Sequence, residues 1–337
     1  MKGIVCEQPN ELKMITLDNP EFKDGEALVK IRRIGICGTD LHAYKGNQPY
    51  FTYPRVLGHE LSGIIEEIGV NQEGLVKGDQ VTVIPYLECG NCIACKNSKT
   101  NCCTNMKVFG VHIDGGMCES VSIPTDHLVK VNDISLDLAA LIEPLSIGAH
   151  AVNRSSIVKG ENALVIGAGP IGLGVMKFAK QKGANVIAMD INEERLGFCK
   201  RWAKVDHTVN GLNNPLERLF ELTDGEYPTV VYDATGNLYS MTKSFNYVAH
   251  GGRLVYVGLV KGDITFSDPD FHKKELTLMG SRNATREDFE YVLDVLKSGE
   301  INADEFISHR CTFDKMVDLF ESWLLPESRV IKALVEL

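Results

Sequence analysis

A glycine-rich segment, Gly167-Ala168-Gly169-Pro170-Ile171-Gly172, constrains the fold of this 337-residue chain more than any other feature. An apolar run at 163–166 precedes it and is typical of a buried strand, and residues 170–182 have the pattern of a helix. In such a strand–turn–helix unit, the first glycine permits a tight turn, the second lets a phosphate approach the backbone, and the third lets the helix pack on the strand. The helix N-terminus presents free N–H groups to the phosphate. The segment therefore predicts a dinucleotide site formed by Gly167, Gly169, Pro170, Ile171 and Gly172.

An acidic residue ends the next predicted strand, which covers residues 185–189. Asp190 follows Gly172 by 18 residues, close to the spacing of about 20 expected for the residue that binds the adenosine ribose. A carboxylate there accepts hydrogen bonds from ribose hydroxyls and repels the 2′-phosphate of NADP. Arg195 is the nearest base, and it is either a further cofactor contact or a solvated residue of the first helical turn. The pattern predicts NAD rather than NADP.

Strand-like and helix-like segments alternate from about residue 150. Apolar strands are predicted at 230–233 and 253–257, and a helix at 193–203. Alternation at this spacing indicates βαβ units and a parallel, doubly wound sheet. We therefore expect an α/β protein with a Rossmann cofactor domain over residues 148–282.

The first part of the chain differs, because short β-prone segments such as 27–31, 61–70 and 80–84 alternate with glycine and proline turns. This pattern indicates an irregular β-rich domain. The last 50 residues add a predicted helix at 286–297 and an apolar strand at 330–335. A chain of this length is about right for two domains.

The composition excludes several classes of partner. With 45 acidic and 35 basic residues the net charge is −10, which disfavours nucleic acid and anionic membranes. The N-terminal sequence MKGIVCEQPNELK lacks the pattern of a secretory signal, and no apolar run approaches the ~18 residues that a membrane helix needs. We expect a cytoplasmic protein whose partner is a small molecule.

Four of the ten cysteines form a compact motif, Cys89-x-x-Cys92-x-x-Cys95-x7-Cys103. In a reducing compartment, clustered cysteines indicate a metal rather than disulfides. Four thiolates suit the closed tetrahedral site of a structural zinc, so residues of about 86–106 are expected to form a zinc lobe. An iron–sulfur cluster uses the same ligands, and spacing alone also allows Cys102 to replace Cys103.

Three other segments carry possible metal ligands: 35–42, 58–60 and 143–144. A thiolate from Cys37, an imidazole from His59 and a carboxylate from Glu143 make a three-ligand zinc site with its fourth position open. Such a zinc lowers the pKa of a substrate alcohol, while a nicotinamide takes the hydride. Taken singly, Cys37 could be a small core residue and His59 a buried structural histidine. Their occurrence beside a nucleotide fold and a zinc loop favours the catalytic interpretation.

With these motifs in this order, the chain resembles the zinc-dependent medium-chain alcohol dehydrogenase family, which includes sorbitol and threonine dehydrogenases. The resemblance runs essentially from end to end. It implies a GroES-like β-rich catalytic domain, residues 1–147 and 283–337, divided in sequence around the Rossmann domain, with a site in the cleft between them. It also implies a homo-oligomer, either a dimer or a tetramer.

The same resemblance implies roles for the metal-ligating residues. In the family, residues at the positions of Cys37, His59 and Glu143 surround the catalytic zinc. The position of Glu60 is sometimes bound to that zinc directly or through water. The last cysteine of the family's zinc lobe matches Cys103 in spacing.

A proton relay is implied as well. In the family, the residue at the position of Thr39 takes the proton of the substrate hydroxyl, and the residue at the position of His42 passes it to solvent. The chemistry suits both side chains, because a hydroxyl can accept one proton and give another, and histidine titrates near neutrality.

Some segments are more similar to one subgroup, the bacterial dehydrogenases that oxidise the C5 hydroxyl of the sugar acid L-galactonate. These segments are 46–49, 53–60, 110–112, 271–275 and 279–285. They imply oxidation of L-galactonate to a 5-keto acid, with L-gulonate and sorbitol or another hexitol as alternative substrates. Arg282 or Lys274 is expected to hold the substrate carboxylate, and Asn47 and His112 to hydrogen-bond its hydroxyls.

Two other functions are weighed against this one. A zinc-free reductase of the same fold would lack Cys37, His59 or Glu143, and all three are present. A non-enzymatic NAD sensor would need neither these ligands nor the Thr39–His42 relay. The sequence therefore favours an NAD-dependent dehydrogenase with two zinc ions per chain.

Overall fold

The computed structural model describes residues 1–48 and 51–337 of the chain. Of the segment 46–49 named above, Pro49 lies outside the described residues. The chain divides into two compact units, which are described separately. The first unit comprises residues 1–143 and 285–337, and the second comprises residues 144–284.

The N-terminal part of the first unit is rich in short strands, as its sequence predicts. Along β3 the side chains of Ala27, Val29 and Ile31 are buried, with the period of two that a strand imposes. The elements of this part are β1 (Lys2–Gln8), β2 (Glu11–Thr16), β3 (Glu26–Ile36), α1 (Gly38–Tyr44), β4 (Arg55–Val56), β5 (Glu60–Ile68), β6 (Gln80–Val83), β7 (Tyr86–Leu87), α2 (Ile93–Lys96), β8 (Lys107–Val108), β9 (Ser120–Pro124), β10 (Leu128–Lys130) and α3 (Leu136–Ala140). The next helix, α4 (Ile142–Ser155), begins at the end of this part and belongs mostly to the second unit.

The second unit is built on one six-stranded parallel sheet. Its elements are β11 (Asn162–Ile166), α5 (Pro170–Gln181), β12 (Asn185–Asp190), α6 (Glu193–Phe198), β13 (His207–Asn210), α7 (Pro215–Leu222), β14 (Val230–Asp233), α8 (Leu238–Lys243), β15 (Arg253–Tyr256), α9 (Asp268–Lys273) and β16 (Thr277–Gly280). The strand order is β13-β12-β11-β14-β15-β16. Counted from β11, this is the 3-2-1-4-5-6 order of the doubly wound fold, which confirms the predicted Rossmann architecture.

The helix predicted over 193–203 differs in its second half. It is regular only as far as Phe198 and continues through Ala203 as a wider π-type turn. This turn keeps Cys199 and Trp202 buried, and the Trp202 ring stacks on Phe198 with centroids 6.1 Å apart. The packing of these side chains decides the local geometry, which periodicity alone does not show.

The C-terminal part of the chain returns to the first unit with α10 (Arg286–Lys297), α11 (Ala303–Phe306), β17 (Ile307–Thr312), α12 (Met316–Phe320) and β18 (Lys332–Glu336). β18 pairs antiparallel with β3 and parallel with β17. The main sheet of this unit has the order β10-β6-β5-β3-β18-β17, and β9 also pairs with β3. The last strand of the chain therefore lies beside β3, which leads directly to Cys37.

Each unit has its own apolar core. In the first, the core lies on the main sheet and includes Ile31, Leu61 and Val335. In the second, it includes Leu164, Val231 and Leu254 from three neighbouring strands. Among the described helices, none has both the length and the apolarity needed to cross a bilayer.

Candidate functional site

Four cysteine side chains lie together between β7 and β8. The sulfur atoms of Cys89, Cys92, Cys95 and Cys103 all lie within 4.8 Å of one another. Cys92 precedes α2, and Cys95 belongs to that helix. Cys102 is exposed and is not part of the group that the structure forms from its described residues. Of the two cysteines left open by spacing, the geometry selects Cys103.

The sulfur separations test which metal this group fits. The Sγ–Sγ distances are 3.5 Å for Cys92–Cys95, 3.9 Å for Cys92–Cys103 and 3.5 Å for Cys103–Cys89. Sulfurs placed tetrahedrally at ~2.3 Å from one zinc would be roughly 3.8 Å apart. A multi-iron cluster binds its cysteines through different irons, which would hold the sulfurs farther apart. The donor set fits a single tetrahedral ion.

Backbone N–H groups point at these sulfurs. Cys103 Sγ accepts hydrogen bonds from the N–H groups of Cys89 and Asn105, each at 3.3 Å. N–H donors from Cys95 and Thr104 lower the pKa of Cys92 to about 5. Such donors favour thiolates, which are the form that binds a metal.

A second group of possible ligands lies in the first unit. Cys37, His59 and Glu60 each contribute one ligand atom to a set whose members lie within 4.8 Å of one another. Cys37 caps α1, while Glu60 is the first residue of β5. Nδ1 of His59 is buried and has no hydrogen-bond partner within the described residues. This nitrogen faces the Asp40 carboxylate, as the second ring nitrogen of a metal-ligating histidine commonly does. A thiol, an imidazole and a carboxylate so close together fit a metal ligand set.

One buried carboxylate organises this group. Asp40 is fully buried, and its Oδ2 accepts a hydrogen bond from the Cys37 N–H at 2.9 Å. Its Oδ1 accepts one from the Gly58 N–H at 3.2 Å and lies 3.8 Å from His59 Nδ1. Asp40 thus ties the segment of Cys37 to the segment of His59.

Glu60 is held by a lysine from the last strand. Lys332 Nζ lies 2.6 Å from both carboxylate oxygens of Glu60, and both side chains are buried. The same ammonium donates to the Ile36 carbonyl at 3.1 Å. Gly35 lies opposite Glu60 in the β3–β5 pairing, and a Cβ there would come within 2.2 Å of Glu60 Oε2. The absence of a side chain at position 35 leaves room for this carboxylate.

Glu143 has a different environment from Glu60. It is buried in the first turn of α4 and accepts a hydrogen bond from the hydroxyl of Tyr86. Burial raises the pKa of Glu143 to about 7. Among the described residues, the compact set of ligand atoms contains Glu60 and not Glu143. The structure therefore places Cys37 and His59 with Glu60, and sets Glu143 against Tyr86.

The two residues of the predicted relay lie on α1. Thr39 is partly buried and His42 is exposed. Residues three apart lie on the same face of a helix, so both side chains belong to one face. The exposure of His42 gives it contact with solvent.

The glycine turn of the second unit fits a phosphate. Gly169 caps the start of α5, and no side chain caps that helix end. A Cβ at Gly169 would meet no other group within 4 Å, so the space above it is open. A Cβ at Gly172 would lie 1.8 Å from the Gly167 carbonyl oxygen. Both observations match the separate roles of these glycines, and Pro170 and Ile171 form the first turn of α5.

Asp190 ends β12 and contacts the same turn. Its Oδ2 accepts a hydrogen bond from the Ala168 N–H at 2.7 Å, and its Oδ1 accepts one from the Asn192 N–H at 2.9 Å. Each carboxylate oxygen keeps a further lone pair for a ribose hydroxyl. Arg195 is exposed in the first turn of α6, where its N–H donates to the Asn192 side chain at 3.2 Å.

The four candidate substrate residues lie in different units. Asn47 is exposed and His112 is half-buried in the first unit, where His112 Nδ1 accepts a hydrogen bond from the Val108 N–H at 2.9 Å. Lys274 and Arg282 belong to the second unit. Lys274 Nζ donates to the Val248 carbonyl at 2.9 Å, and Arg282 is exposed.

Three residues of the site were not assigned a role from the sequence: Asp40, Tyr86 and Lys332. Asp40 lies within the Cys37 segment, so its position was a usable signal. A lysine inside the apolar strand that ends the chain is also unusual, because lysine is rarely fully buried without a partner. Tyr86 carries no such local signal.

Comparisons with known proteins support this description. Residues 23–133 match the alcohol dehydrogenase GroES-like domain, and residues 170–298 match the zinc-binding dehydrogenase family. The chain is 44% identical to an L-galactonate-5-dehydrogenase of Escherichia coli K12, covering 99% of this chain and 98% of that protein. It is 31% identical to an L-idonate 5-dehydrogenase of Vitis vinifera, covering 88% of this chain and 83% of that protein.

A solved structure agrees with the fold. The alcohol dehydrogenase RspB of Escherichia coli CFT073, complexed with NADH, has a TM-score of 0.93 and 32% identity, covering 100% of this chain and 99% of that one. The expectations of a GroES-like domain, a Rossmann-type sheet and an enzyme are confirmed. The chain belongs to the zinc-binding alcohol dehydrogenase family, and it is an oxidoreductase of that kind.

Proposed function

We propose that this protein oxidises a secondary hydroxyl of a sugar acid or polyol with zinc and NAD as cofactors, and that L-galactonate, oxidised at C5 to a 5-keto acid, is its substrate. The observation that carries the substrate is the 44% identity, over 99% of the chain, to a relative named L-galactonate-5-dehydrogenase. L-gulonate and sorbitol or another hexitol are the alternative substrates.

The two groups of ligands have different roles, one structural and one catalytic. Cys89, Cys92, Cys95 and Cys103 hold a structural zinc, because all four sulfurs are used and no position stays open. Cys37 and His59 hold the catalytic zinc together with one of two carboxylates. The compact geometry supports Glu60 as the third ligand, and the resemblance to the family supports Glu143.

When bound, zinc supplies Lewis-acid polarisation of the substrate hydroxyl, and NAD accepts the hydride. The Thr39 hydroxyl accepts the substrate proton and His42 releases it to water, because His42 is the exposed member of the pair. Residues 1–147 and 283–337 form the catalytic domain and residues 148–282 the cofactor domain. In the latter, Gly167, Gly169, Gly172, Asp190 and Arg195 bind NAD.

A sugar acid also needs a cation for its carboxylate. Arg282 is the better candidate, because it is exposed and a guanidinium can bind a carboxylate through two N–H groups, whereas burial lowers the pKa of Lys274. Asn47 and His112 are the candidates for the hydroxyls. The partner of this protein is therefore a small molecule, and we expect neither a nucleic acid nor a membrane as a partner.

The protein assembles as a homo-oligomer in the cytoplasm. Leu278 is an exposed apolar residue of the edge strand β16, and Leu259 and Phe266 are exposed apolar residues of the segment between β15 and α9. Unpaired strand edges and exposed apolar side chains favour association. A reducing compartment would keep the lobe thiols free for a metal.

A substrate panel tests the proposal. Purified protein should reduce NAD with L-galactonate faster than with epimeric aldonates or hexitols, as followed by NADH absorbance, and elemental analysis should find two zinc ions per chain. Cys37→Ser should keep one zinc ion and lose nearly all turnover. Cys311→Ser, which alters a thiol outside both groups, should keep both zinc ions and the wild-type turnover. Turnover at the wild-type rate by Cys37→Ser would contradict the ligand assignment, and inactivity with every aldonate would contradict the substrate.

A further inference from the structure

A carboxylate at the end of β14 holds the loop that follows it. Asp233 is fully buried. Its Oδ1 accepts hydrogen bonds from the Thr235 N–H at 2.9 Å and the Thr235 hydroxyl at 2.6 Å. Its Oδ2 accepts one from the Ser240 hydroxyl at 2.6 Å. The loop 234–237 and the start of α8 are thus fixed to a single carboxyl group.

This arrangement is costly for the fold. A buried carboxylate loses its hydration, and hydrogen bonds only offset that loss. The three donors are an amide and two hydroxyls, all neutral, and burial raises the pKa of Asp233. A fully satisfied polar network in such a place makes its surroundings rigid. A buried acid that costs stability at this position indicates a function for the loop that it holds.

The loop lies where this fold binds its ligand. β11 and β14 are neighbours at the point where the strand order reverses, and ligands of doubly wound sheets bind at the carboxyl ends of such strands. The glycine turn 167–172 follows β11, and the loop 234–237 follows β14. A Cβ at Gly167 would lie 3.1 Å from Thr235 Cγ2 and 3.3 Å from Thr235 N. The two loops therefore pack directly against each other, with Thr235 exposed.

The loop after β15 packs against the loop 234–237. The N–H groups of Val257 and Gly258 each donate to the Asp233 carbonyl oxygen at 2.9 Å. A Cβ at Gly258 would lie 2.3 Å from the Gly236 nitrogen. The loop after β15 thus leaves the loop 234–237 little room to retreat from the glycine turn.

We propose that Asp233 is a positioning residue for the dinucleotide, acting through Thr235 to hold the loop 234–237 as the wall of the cofactor crevice that faces the glycine turn. This inference rests on the proposed use of NAD. The Thr235 hydroxyl donates to Asp233 and accepts from the Asn237 N–H at 3.1 Å, so the cofactor meets the methyl group and backbone of Thr235 rather than its hydroxyl.

NADH binding to the purified full-length protein, titrated by fluorescence, tests this role. Thr235→Val keeps the shape of the side chain but loses the hydroxyl, so the Kd for NADH should rise about tenfold. Ser240→Ala releases the other carboxylate oxygen and should raise the Kd by a smaller factor. Thr235→Ser restores the hydroxyl and should bind NADH within about threefold of the wild-type protein.

A matched control lies at the opposite end of the same strand. Thr229 precedes β14, and its hydroxyl donates to Glu161 Oε1 at 2.9 Å. Thr229→Val loses a similar bond, so its Tm should fall as that of Thr235→Val does, but its Kd for NADH should not change. Wild-type affinity in Thr235→Val and Ser240→Ala, or an equal loss in Thr229→Val, would overturn the inference. Absence of NADH binding by the wild-type protein would overturn the proposed function as well.

Discussion

The ammonium of Lys332 lies 2.6 Å from each carboxylate oxygen of Glu60, 272 residues earlier in the chain. Both side chains are buried, and the ammonium also contacts the Ile36 carbonyl next to Cys37. A buried ion pair is weak evidence for stability in itself, because desolvation offsets much of its attraction. Its geometric effect is plain, since it joins β18 to the two segments that carry Cys37 and His59.

Removing the lysine charge should therefore be far more harmful than removing a surface charge. Lys332→Met leaves Glu60 buried without a counter-charge, and the free energy of unfolding should fall by about 3–5 kcal/mol. Urea denaturation measures this, and elemental analysis should show loss of the zinc bound near Cys37. Lys2 pairs with Asp314 on the surface, so Lys2→Met should leave both readings almost unchanged. A Lys332→Met variant as stable as Lys2→Met would contradict the interpretation.

The cysteine lobe offers a sharper pair of variants. Cys92→Ser removes one of four converging sulfurs, so the zinc content should fall from two ions to one and the lobe should become sensitive to proteases, because structural zinc contributes directly to folding. Cys102→Ser alters an exposed thiol outside the group, and both readings should stay at the wild-type level. Loss of the zinc in Cys102→Ser would show that the choice of Cys103 as the fourth ligand is wrong, and a Cys92→Ser variant that keeps both zinc ions would contradict the role of Cys92.

How far the sequence predicts these features depends on how local they are. The glycine turn and Asp190 belong to one strand–turn–helix–strand unit, so spacing alone was enough to predict a dinucleotide fold. The strand at the end of the chain was also predicted, but the partner of Lys332 was not. That contact depends on the pairing of β18 with β3 and of β3 with β5, which no local pattern encodes.

The choice between Glu60 and Glu143 shows a second limit. Both glutamates belong to segments that are predicted to carry metal ligands. Successive residues of a regular strand point to opposite faces, which would place His59 and Glu60 apart. His59, however, lies just before β5, so this alternation does not separate the two side chains. Only the packed side chains show that Glu143 accepts a hydrogen bond from Tyr86 while Glu60 lies with Cys37 and His59.

His127 should make stability depend on pH above 6.5, its ordinary pKa. Its Nε2 lies 3.0 Å from Glu88 and its Nδ1 lies 2.8 Å from Asp126. Burial alone would lower the pKa of His127, but these carboxylates raise it above its ordinary value of 6.5. A raised pKa contributes stability that is fully present below pH 6.5 and is lost as the pH rises through the folded-state pKa.

The measurement is the free energy of unfolding at pH values from about one unit below the ordinary histidine pKa to well above it. The wild-type protein should lose stability across the upper part of this range, and His127→Gln should have a flatter profile and lower stability at the acid end. Glu88 directly precedes Cys89, so a matching loss of lobe protection in hydrogen exchange is expected. Parallel profiles for the two proteins would contradict the role of His127.

Asp190 should decide between the two nicotinamide dinucleotides by charge as well as by hydrogen bonding. Asp190→Ala removes the acceptor for the Ala168 N–H and the repulsion of a 2′-phosphate. Affinity for NADH should fall about tenfold, or ~1.4 kcal/mol, while discrimination against NADPH should relax. Asp190→Asn keeps one acceptor oxygen but no charge, so it should relax discrimination with a smaller loss of NADH affinity. Titrations of both variants with NADH and NADPH separate the two effects. An unchanged ratio of the two dissociation constants in Asp190→Ala would show that this carboxylate does not select the cofactor.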